Sequence, residues 1–429
     1  MTFSTIEEAL SAFSNGKMII VVDNEDRENE GDIVVAADAV TAEHIAFMMK
    51  HARGLICTPM TSERLEELEV PLMVTRNSDS MQTAFTVSVD YIPGTSTGIS
   101  AQDRAATIRA LVNPLTRPDE LSRPGHIFPL RANRFGVLGR PGHTEAAVDL
   151  AKLAGFSPAG VICEIANDDG TMARLPELVE FARIHDLHLI TIEDLTAYRM
   201  KTESQIRRYS ESEMPTKHGT YRAVTYRDLI SGVEHIALTR GDLANCDDVL
   251  VRVHSECLTG EAFGSLRCDC GEQLDLALEA LAAQPAGCLI YLRGQEGRGI
   301  GLGNKIAAYA LQDAGLDTFD ANGAIGFPAD ARDYKAAAEI LRDMNVSRVT
   351  LLTNNPQKVD ALIAAGISVL SRRSLIAATS SSNVSYLRTK RERFGHHLEI
   401  ADESPRRAAV GANVVQGSWA ARIAAGPLG

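Results

Sequence analysis

The feature that most constrains this chain is an alternation of short aliphatic runs with longer stretches of helical spacing, broken once by a polar segment. Met18-Ile19-Ile20-Val21-Val22, Val161-Ile162-Cys163 and the run from Leu187 to Ile192 read as buried strands. In the second half Val249–Val253, Cys288–Leu292 and Arg348–Leu352 read the same way. Between or after them lie helix patterns: Thr144–Ala154 stopped by Gly155, Asn304–Ala314 closed by Gly315, and Pro356–Ala365 closed by Gly366. Such alternation predicts an α+β (mixed α/β) architecture, each sheet packed with helices. At 429 residues the chain is long for one core, so two domains are expected. The segment RMKTESQIRRYSESEMPTKHG, residues 199–219, is charged and poor in aliphatics, and places the boundary near 201. The expected domains are 1–201 and 202–429. Residues 399–429, rich in Ala, Gly, Arg and Ser without apolar period, are expected to be a disordered tail. No internal repeat makes the halves duplicates.

The function classes narrow by exclusion. A formal net charge of −13 disfavours a protein that coats nucleic acid, while leaving room for local basic pockets. No apolar run is long enough to cross a bilayer, so no membrane partner is expected. The opening MTFSTIEEALSAF lacks a basic start, and the first arginine is Arg27, so a cytoplasmic location is expected. Seven cysteines, three of them within fourteen positions, fit metal ligation better than a disulfide framework.

Those three are Cys257, Cys268 and Cys270. Thiolates are soft zinc ligands, and three of them leave one tetrahedral position for water, as a catalytic site requires. Two other readings stay open: a structural zinc completed by His254, or thiols without metal. Downstream, Arg293-Gly294-Gln295-Glu296-Gly297-Arg298-Gly299-Ile300-Gly301 follows a strand and precedes a helix, where glycines permit tight turns and arginines can meet phosphate. By itself this is most simply a structural turn. Thr353-Asn354-Asn355-Pro356-Gln357-Lys358 offers a helix start beside a lysine, an anion site. Asp330-Ala331-Arg332 is, by spacing alone, a surface charge pair.

Together RVHSEC, LRCDCG, EGRGIGL, the DARDY segment and LLTNNPQK closely resemble GTP cyclohydrolase II over nearly all of residues 203–397. The resemblance implies opening of the guanine imidazole ring of GTP with loss of formate and release of pyrophosphate. It implies one Zn²⁺ on Cys257, Cys268 and Cys270, whose bound water becomes a nucleophile near neutral pH, and Mg²⁺ accompanying GTP. It assigns Arg252, Val253, His254, Ser255, Glu256, Gln273, Glu296, Gly297, Arg298, Thr318, Thr353 and Lys358 to the nucleotide. Asp330 matches the proton acceptor. Arg332 matches a position described as a nucleophile at the α-phosphate, but a guanidinium stays protonated, so charge stabilisation suits it better. Gly294 is an extra residue relative to that pattern.

The first half carries different chemistry. Asp23-Asn24-Glu25-Asp26-Arg27-Glu28-Asn29-Glu30-Gly31-Asp32 holds six acidic residues in ten. A solvated loop is the plain reading, yet its place after a buried strand suits a hard divalent cation with oxygen ligands. Arg140-Pro141-Gly142-His143-Thr144 leads into a helix, with Thr144 as the expected N-cap and a phosphate site beside it. Glu164 interrupts an apolar strand. It is a solvent-facing edge residue, a salt-bridge partner of an arginine, or, if buried, a candidate acid or base.

DNEDRENEGD, RPGHIFPL, RPGHTEAAVDL and NDDGTMAR closely resemble 3,4-dihydroxy-2-butanone 4-phosphate synthase across residues 4–200. The resemblance implies conversion of ribulose 5-phosphate to the four-carbon phosphate and formate, with Mg²⁺ or Mn²⁺, two ions being expected. It assigns Glu28 and His143 as metal ligands. Arg27, Glu28, Asp32, Arg140, Pro141, Gly142, His143, Thr144 and Glu164 become substrate contacts, and His126 and Glu164 catalytic residues. Cys57 is expected in the site wall. Pro141 stands where a small Ala or Gly is expected, and removes one N–H from the phosphate site. The combined expectation is a bifunctional enzyme of riboflavin-precursor synthesis, a homodimer acting on two small molecules. Its rivals are the same fold with one inert half, or a zinc-containing nucleotide-binding regulator.

Overall fold

The computed structural model describes residues 3–316, 318–377 and 383–397; the expected tail at 399–429 lies outside the described residues. The described residues form two seven-stranded sheets with helices around them. The first contains β1 (Ile19–Val22), β2 (Gly31–Ala36), β3 (Cys57–Met60), β4 (Val89–Tyr91), β5 (Leu121–Arg131), β6 (Gly160–Glu164) and β7 (His188–Thr191). Their order is β4-β5-β3-β6-β2-β1-β7. β1 runs parallel to β7 and antiparallel to β2, so the sheet is mixed, as expected.

The aliphatic runs are continuous because both faces of this sheet are covered. Ile20, Val22, Ile33, Val35, Val161 and Cys163 face one core, against Ala105, Ile108 and Leu111 of the helix Ala101–Val112. Ile19, Val21, Val34, Ala36 and Ile162 alternate to the other, against Ala146, Ala147, Leu150 and Ala151 of the helix His143–Leu153. Each fully buried Ile or Leu contributes roughly 1.5–3 kcal/mol. Cys57 belongs to this second core and is fully buried, with the carboxylates of Glu164 and Asp32 near enough to act on its thiol.

The second sheet contains β8 (Ile206–Thr216), β9 (Gly219–Asp228), β10 (Glu234–Arg240), β11 (Val249–Ser255), β12 (Gly287–Leu292), β13 (Arg348–Leu352) and β14 (Ser368–Arg373). The order is β14-β13-β11-β12-β10-β9-β8. β11 is flanked by parallel β12 and β13, which directs the ends of all three strands to one edge.

The polar segment 199–219 is structured. It holds the end of the helix Ile192–Thr202 and the strand β8, whose residues are mostly exposed. An edge strand with little buried face shows no apolar alternation, which is why its composition reads as a break. The compact units likewise do not part at one residue: 223–237 and 339–343 group with 1–212, and the remainder forms the other unit.

Two candidate active sites

In the first unit β1 ends where the acidic loop begins and β2 starts where it ends. Asp23 organises the loop: its carboxylate accepts the N–H groups of Glu28 (3.0 Å) and Glu30 (2.8 Å) and pairs with Arg27 (2.8 Å). Arg27 also pairs with Glu28 at 2.6 Å. The neighbouring helix brings in His143, whose Nδ1 lies 3.6 Å from Glu28 Oε2 and 3.9 Å from Asp32 Oδ1. Ligand atoms of Asp23, Glu28 and His143 all fall within 4.8 Å of one another.

The donor set fits a hard cation. His143 Nε2 lies 3.1 Å from the carbonyl of Val21. Donating there leaves Nδ1 as a lone pair aimed at the carboxylates. Without an ion the proton takes that place: burial opposes it, but Asp32 and the bond to Glu28 lift His143 to about 9. The bond from His143, with Arg27 beside it, holds Glu28 down at about 2 against its burial. Asp32 is only 2% exposed, its Oδ1 has no hydrogen-bond partner among the described residues, and burial raises it to about 7 despite His143.

Asp32 stands directly opposite Glu164 in the β2–β6 register, so both point to the face that His143 caps. Glu164 is half-buried, and its Oε2 accepts the N–H of Leu55 (2.8 Å). The expected N-cap is corrected. The helix starts at His143 with Gly142 as N-cap, and Thr144 lies buried in the first turn. A Cβ at Gly142 would come 2.6 Å from Arg140 Nη1 and 3.0 Å from Arg27 Nη2, so glycine lets both guanidiniums close on this helix end. That corner combines helix N–H groups with two cations.

His126 is not brought to this group. It lies on β5, separated from β2 by β3 and β6, which at usual strand spacing is about 14 Å. Its Nδ1 is 2.6 Å from Asp90 Oδ2, and Asp90 Oδ1 accepts its backbone N–H (2.9 Å). Asp90 carried no sequence signal, because an acid two residues into a short strand run reads as an exposed edge.

In the second unit β11 delivers Ser255, Glu256 and Cys257, while Cys270 opens the helix Cys270–Ala282. Cys257 and Cys268 sulfurs lie 3.6 Å apart, and the three sulfurs are mutually within 4.8 Å. Tetrahedral zinc with Zn–S of about 2.3 Å separates its sulfurs by about 3.8 Å, so the set fits that ion. Bonds from the other two thiols, with Lys305 adding to them, hold Cys257 far below the usual thiol range. Gly260 passes over the sulfurs so closely that a Cβ would meet Cys268 Sγ at 2.7 Å. His254 stands outside the group: its Nε2 bonds Glu261 Oε1 (2.8 Å) and its ring stacks on Tyr291.

The thiols open onto a cleft of two lobes, about 640 and 530 Å³, that share Ser255, Cys270, Arg298, Arg332 and Tyr386 as walls. The first lobe reaches Glu256, Gln295 and Gly297; the second reaches Arg252, His254, Gln273, Thr353 and Lys358. Arg252 is fully buried, bonded to Leu352 O and Gln273 Oε1, and burial pushes it down to about 10. Lys358 donates to Val253 O (2.8 Å); burial, with Arg252 nearby, pushes it well below its usual value. The side chain of Val253 itself belongs to the core. Buried cations gathered this closely suit a polyanion.

Asp330 and Arg332 form a bidentate pair with side chains only 11% and 14% exposed, not a surface pair. Burial opposes it, but the Asp330 bond raises Arg332 above its usual value, which keeps the guanidinium charged. Glu296 does not line either lobe; it binds Lys305 Nζ and the N–H of Leu258 (2.6 Å). Gly294, at φ +73°, donates to Glu256 Oε2 (2.7 Å). Thr318 opens a short helix, and its side chain lies outside the described residues. Sequence reasoning missed Lys305, Tyr309, Tyr386, Lys390 and His396, which all line the cleft from helices or their ends.

Comparison with known proteins shows which family the chain belongs to. The model of the 3,4-dihydroxy-2-butanone 4-phosphate synthase family matches residues 7–198, and that of GTP cyclohydrolase II matches 207–374. A riboflavin biosynthesis protein RibBA from Salinispora arenicola is 54% identical, covering 96% of this chain and 98% of its own. The chain belongs to this bifunctional riboflavin-biosynthesis family. Its two activities are a lyase and a hydrolase. A chloroplastic relative from Arabidopsis thaliana, bifunctional riboflavin biosynthesis protein RIBA 1, is 50% identical over 92% of this chain and 73% of its own. Among solved structures, RibBX of A. baumannii, a two-domain 3,4-dihydroxy-2-butanone 4-phosphate synthase, matches with TM-score 0.56 and 36% identity. It covers 87% of this chain and 100% of that one.

Proposed function

We propose that each reaction of this bifunctional enzyme is carried by one of the two sites, divided between domains 1–201 and 202–429. The family assignment fixes the reactions. One converts ribulose 5-phosphate to 3,4-dihydroxy-2-butanone 4-phosphate and formate. The other hydrolyses GTP to 2,5-diamino-6-(5-phosphoribosylamino)pyrimidin-4-one, formate and pyrophosphate. The division is supported by the family matches ending at 198 and resuming at 207.

In the first domain Glu28 and His143 hold the Mg²⁺ or Mn²⁺ ions, two in number, with Asp23 beside them. The metal, when bound, stabilises negative charge on the substrate's oxygens. Asp32, raised to about 7, and Glu164 opposite it move protons at the sugar carbons. Arg27, Arg140 and the backbone from Gly142 to Thr144 take the phosphate, beside Pro141. His126 is needed for activity yet stands three strands away. A homodimer in which a second copy supplies it reconciles the two.

In the second domain Cys257, Cys268 and Cys270 hold one Zn²⁺, which supplies a Lewis acid and an activated water at the guanine ring. The observation that carries this reading is three thiols, without His254, opening onto a cationic cleft. Arg252, Arg298 and Lys358 bind phosphate, with Mg²⁺ accompanying GTP. Val253–Glu256, Gln273, Gly297, Thr353 and the Glu296 and Thr318 segments shape the rest of the nucleotide site. Asp330 accepts a proton, and Arg332 stabilises charge at the α-phosphate. A cytoplasmic setting suits seven free cysteines.

The test is to supply ribulose 5-phosphate and GTP separately to wild type, Glu28→Ala and Cys268→Ser, and to identify the products. Cys268→Ser should lose formate release from GTP, by roughly 10³-fold, and keep the sugar reaction. Glu28→Ala should do the reverse. Loss of both activities in either variant would overturn the division.

A further inference from the structure

Lys305 has a place in the second site that its nucleotide chemistry does not explain. It lies on the helix Leu302–Asp313 and is only 8% exposed. An ammonium has three hydrogens to donate, and three acceptors meet this one: Cys257 Sγ at 3.1 Å, Thr259 Oγ1 at 2.7 Å, and Glu296 Oε1. No N–H is left over for a phosphate. Glu296, itself buried, uses its other oxygen to accept the N–H of Leu258, the residue after Cys257. One carboxylate therefore holds both the lysine and the chain that carries the sulfur.

We infer that Lys305, held by Glu296, is a positioning residue for the metal ligand Cys257, fixing its sulfur by a charge-assisted N–H···S bond. The inference rests on the zinc reading above. Three thiolates around a dication leave one net negative charge, and the ammonium at 3.1 Å is a direct counter-charge to it. A partner that orients a ligand and offsets its charge governs how firmly the metal is held, typically by 10- to 100-fold in affinity. Glu296 thereby gains a second task, since its carboxylate faces Lys305 and not the cleft.

The experiment is competition for zinc between the full-length protein and a chromophoric chelator, for wild type, Lys305→Met and Glu296→Gln. Lys305→Met should lose zinc about 10- to 100-fold more readily. Glu296→Gln should change in the same direction by a smaller factor. Formation of the butanone phosphate in the other domain should persist in both, which reports that the chain has folded. If Lys305→Met fails that control, Glu296→Gln decides alone. Wild-type retention of zinc in the folded variants would overturn the inference, as would lost GTP turnover with unchanged zinc affinity, which would make Lys305 a substrate contact. A wild-type protein that binds no zinc would instead sink the zinc reading itself.

Discussion

The two sites are electrostatic opposites. In the first, burial acts on anions: Asp32 is pushed up to about 7, and its carboxylates lift His143 to about 9. In the second, burial acts on cations: Arg252 is pushed down to about 10 and Lys358 well below its usual value. On the proposed reading each site stores charge of the sign opposite to that of a ligand it takes, a divalent cation in one and a polyphosphate in the other. Desolvated like charges cost stability until the ligand arrives, which is the usual trade at active sites.

The largest test of this contrast is Asp32→Asn. Removing a proton acceptor should lower butanone phosphate formation by about 10²–10⁴-fold. The same change should stabilise the fold. Asp32 has a folded value of about 7 against 3.8 for the free group, so its stability contribution is present below pH 4 and is lost as pH rises through 7. Asn escapes that loss, and denaturant unfolding at pH 8 should show a gain on the order of 4 kcal/mol. Equal stability of the two proteins at pH 8 would mean that Asp32 carries no desolvated charge. GTP turnover should not move.

The contrast has a second side: the cationic cleft gathers most of its expected residues within one unit, whereas the cation site leaves His126 about three strands away. Glu28→Ala and His126→Ala should each abolish the sugar reaction. Mixed and allowed to exchange, they should recover about a quarter of wild-type activity, because half the dimers are hybrids and each hybrid has one complete site. No recovery in a mixture shown to exchange would break the shared-site reading. Cys268→Ser mixed with Asp330→Ala should, on the same logic, recover nothing.

What was legible in the sequence follows the same divide. Arg27, Glu28 and Asp32 could be read because one loop and the start of one strand carry them, and His143 because a helix start announces itself. The thiols could be read because few structures other than metal sites put three cysteines so close. Lys305, Tyr386 and Lys390 could not, because their helical spacing looks like any amphipathic surface and their meaning lies in elements far apart in the chain. β8 read only as a drop in aliphatic content because an exposed edge strand has no buried face to impose a period. Thr144 read as a cap because Thr is a good N-cap type, while the packing of two guanidiniums against Gly142 gave that position to glycine.

The smallest effect sharpens how each site recognises phosphate. As proposed above, the second uses charged side chains, whereas the first combines Arg27 and Arg140 with the N–H groups of a helix end whose preceding residue, Pro141, has none to give. Pro141 is exposed, so replacing it removes little packing. Pro141→Ala restores one backbone donor at that corner. A hydrogen bond of this kind contributes about 0.5–1.5 kcal/mol net, and freeing the backbone torsion that proline fixes offsets part of it. KM for ribulose 5-phosphate should therefore fall by about 2- to 5-fold with kcat unchanged, because the phosphate is bound alike in ground and transition states. A change in kcat with constant KM would show instead that Pro141 aligns His143, the next residue but one, and so acts on the metal and not on the phosphate.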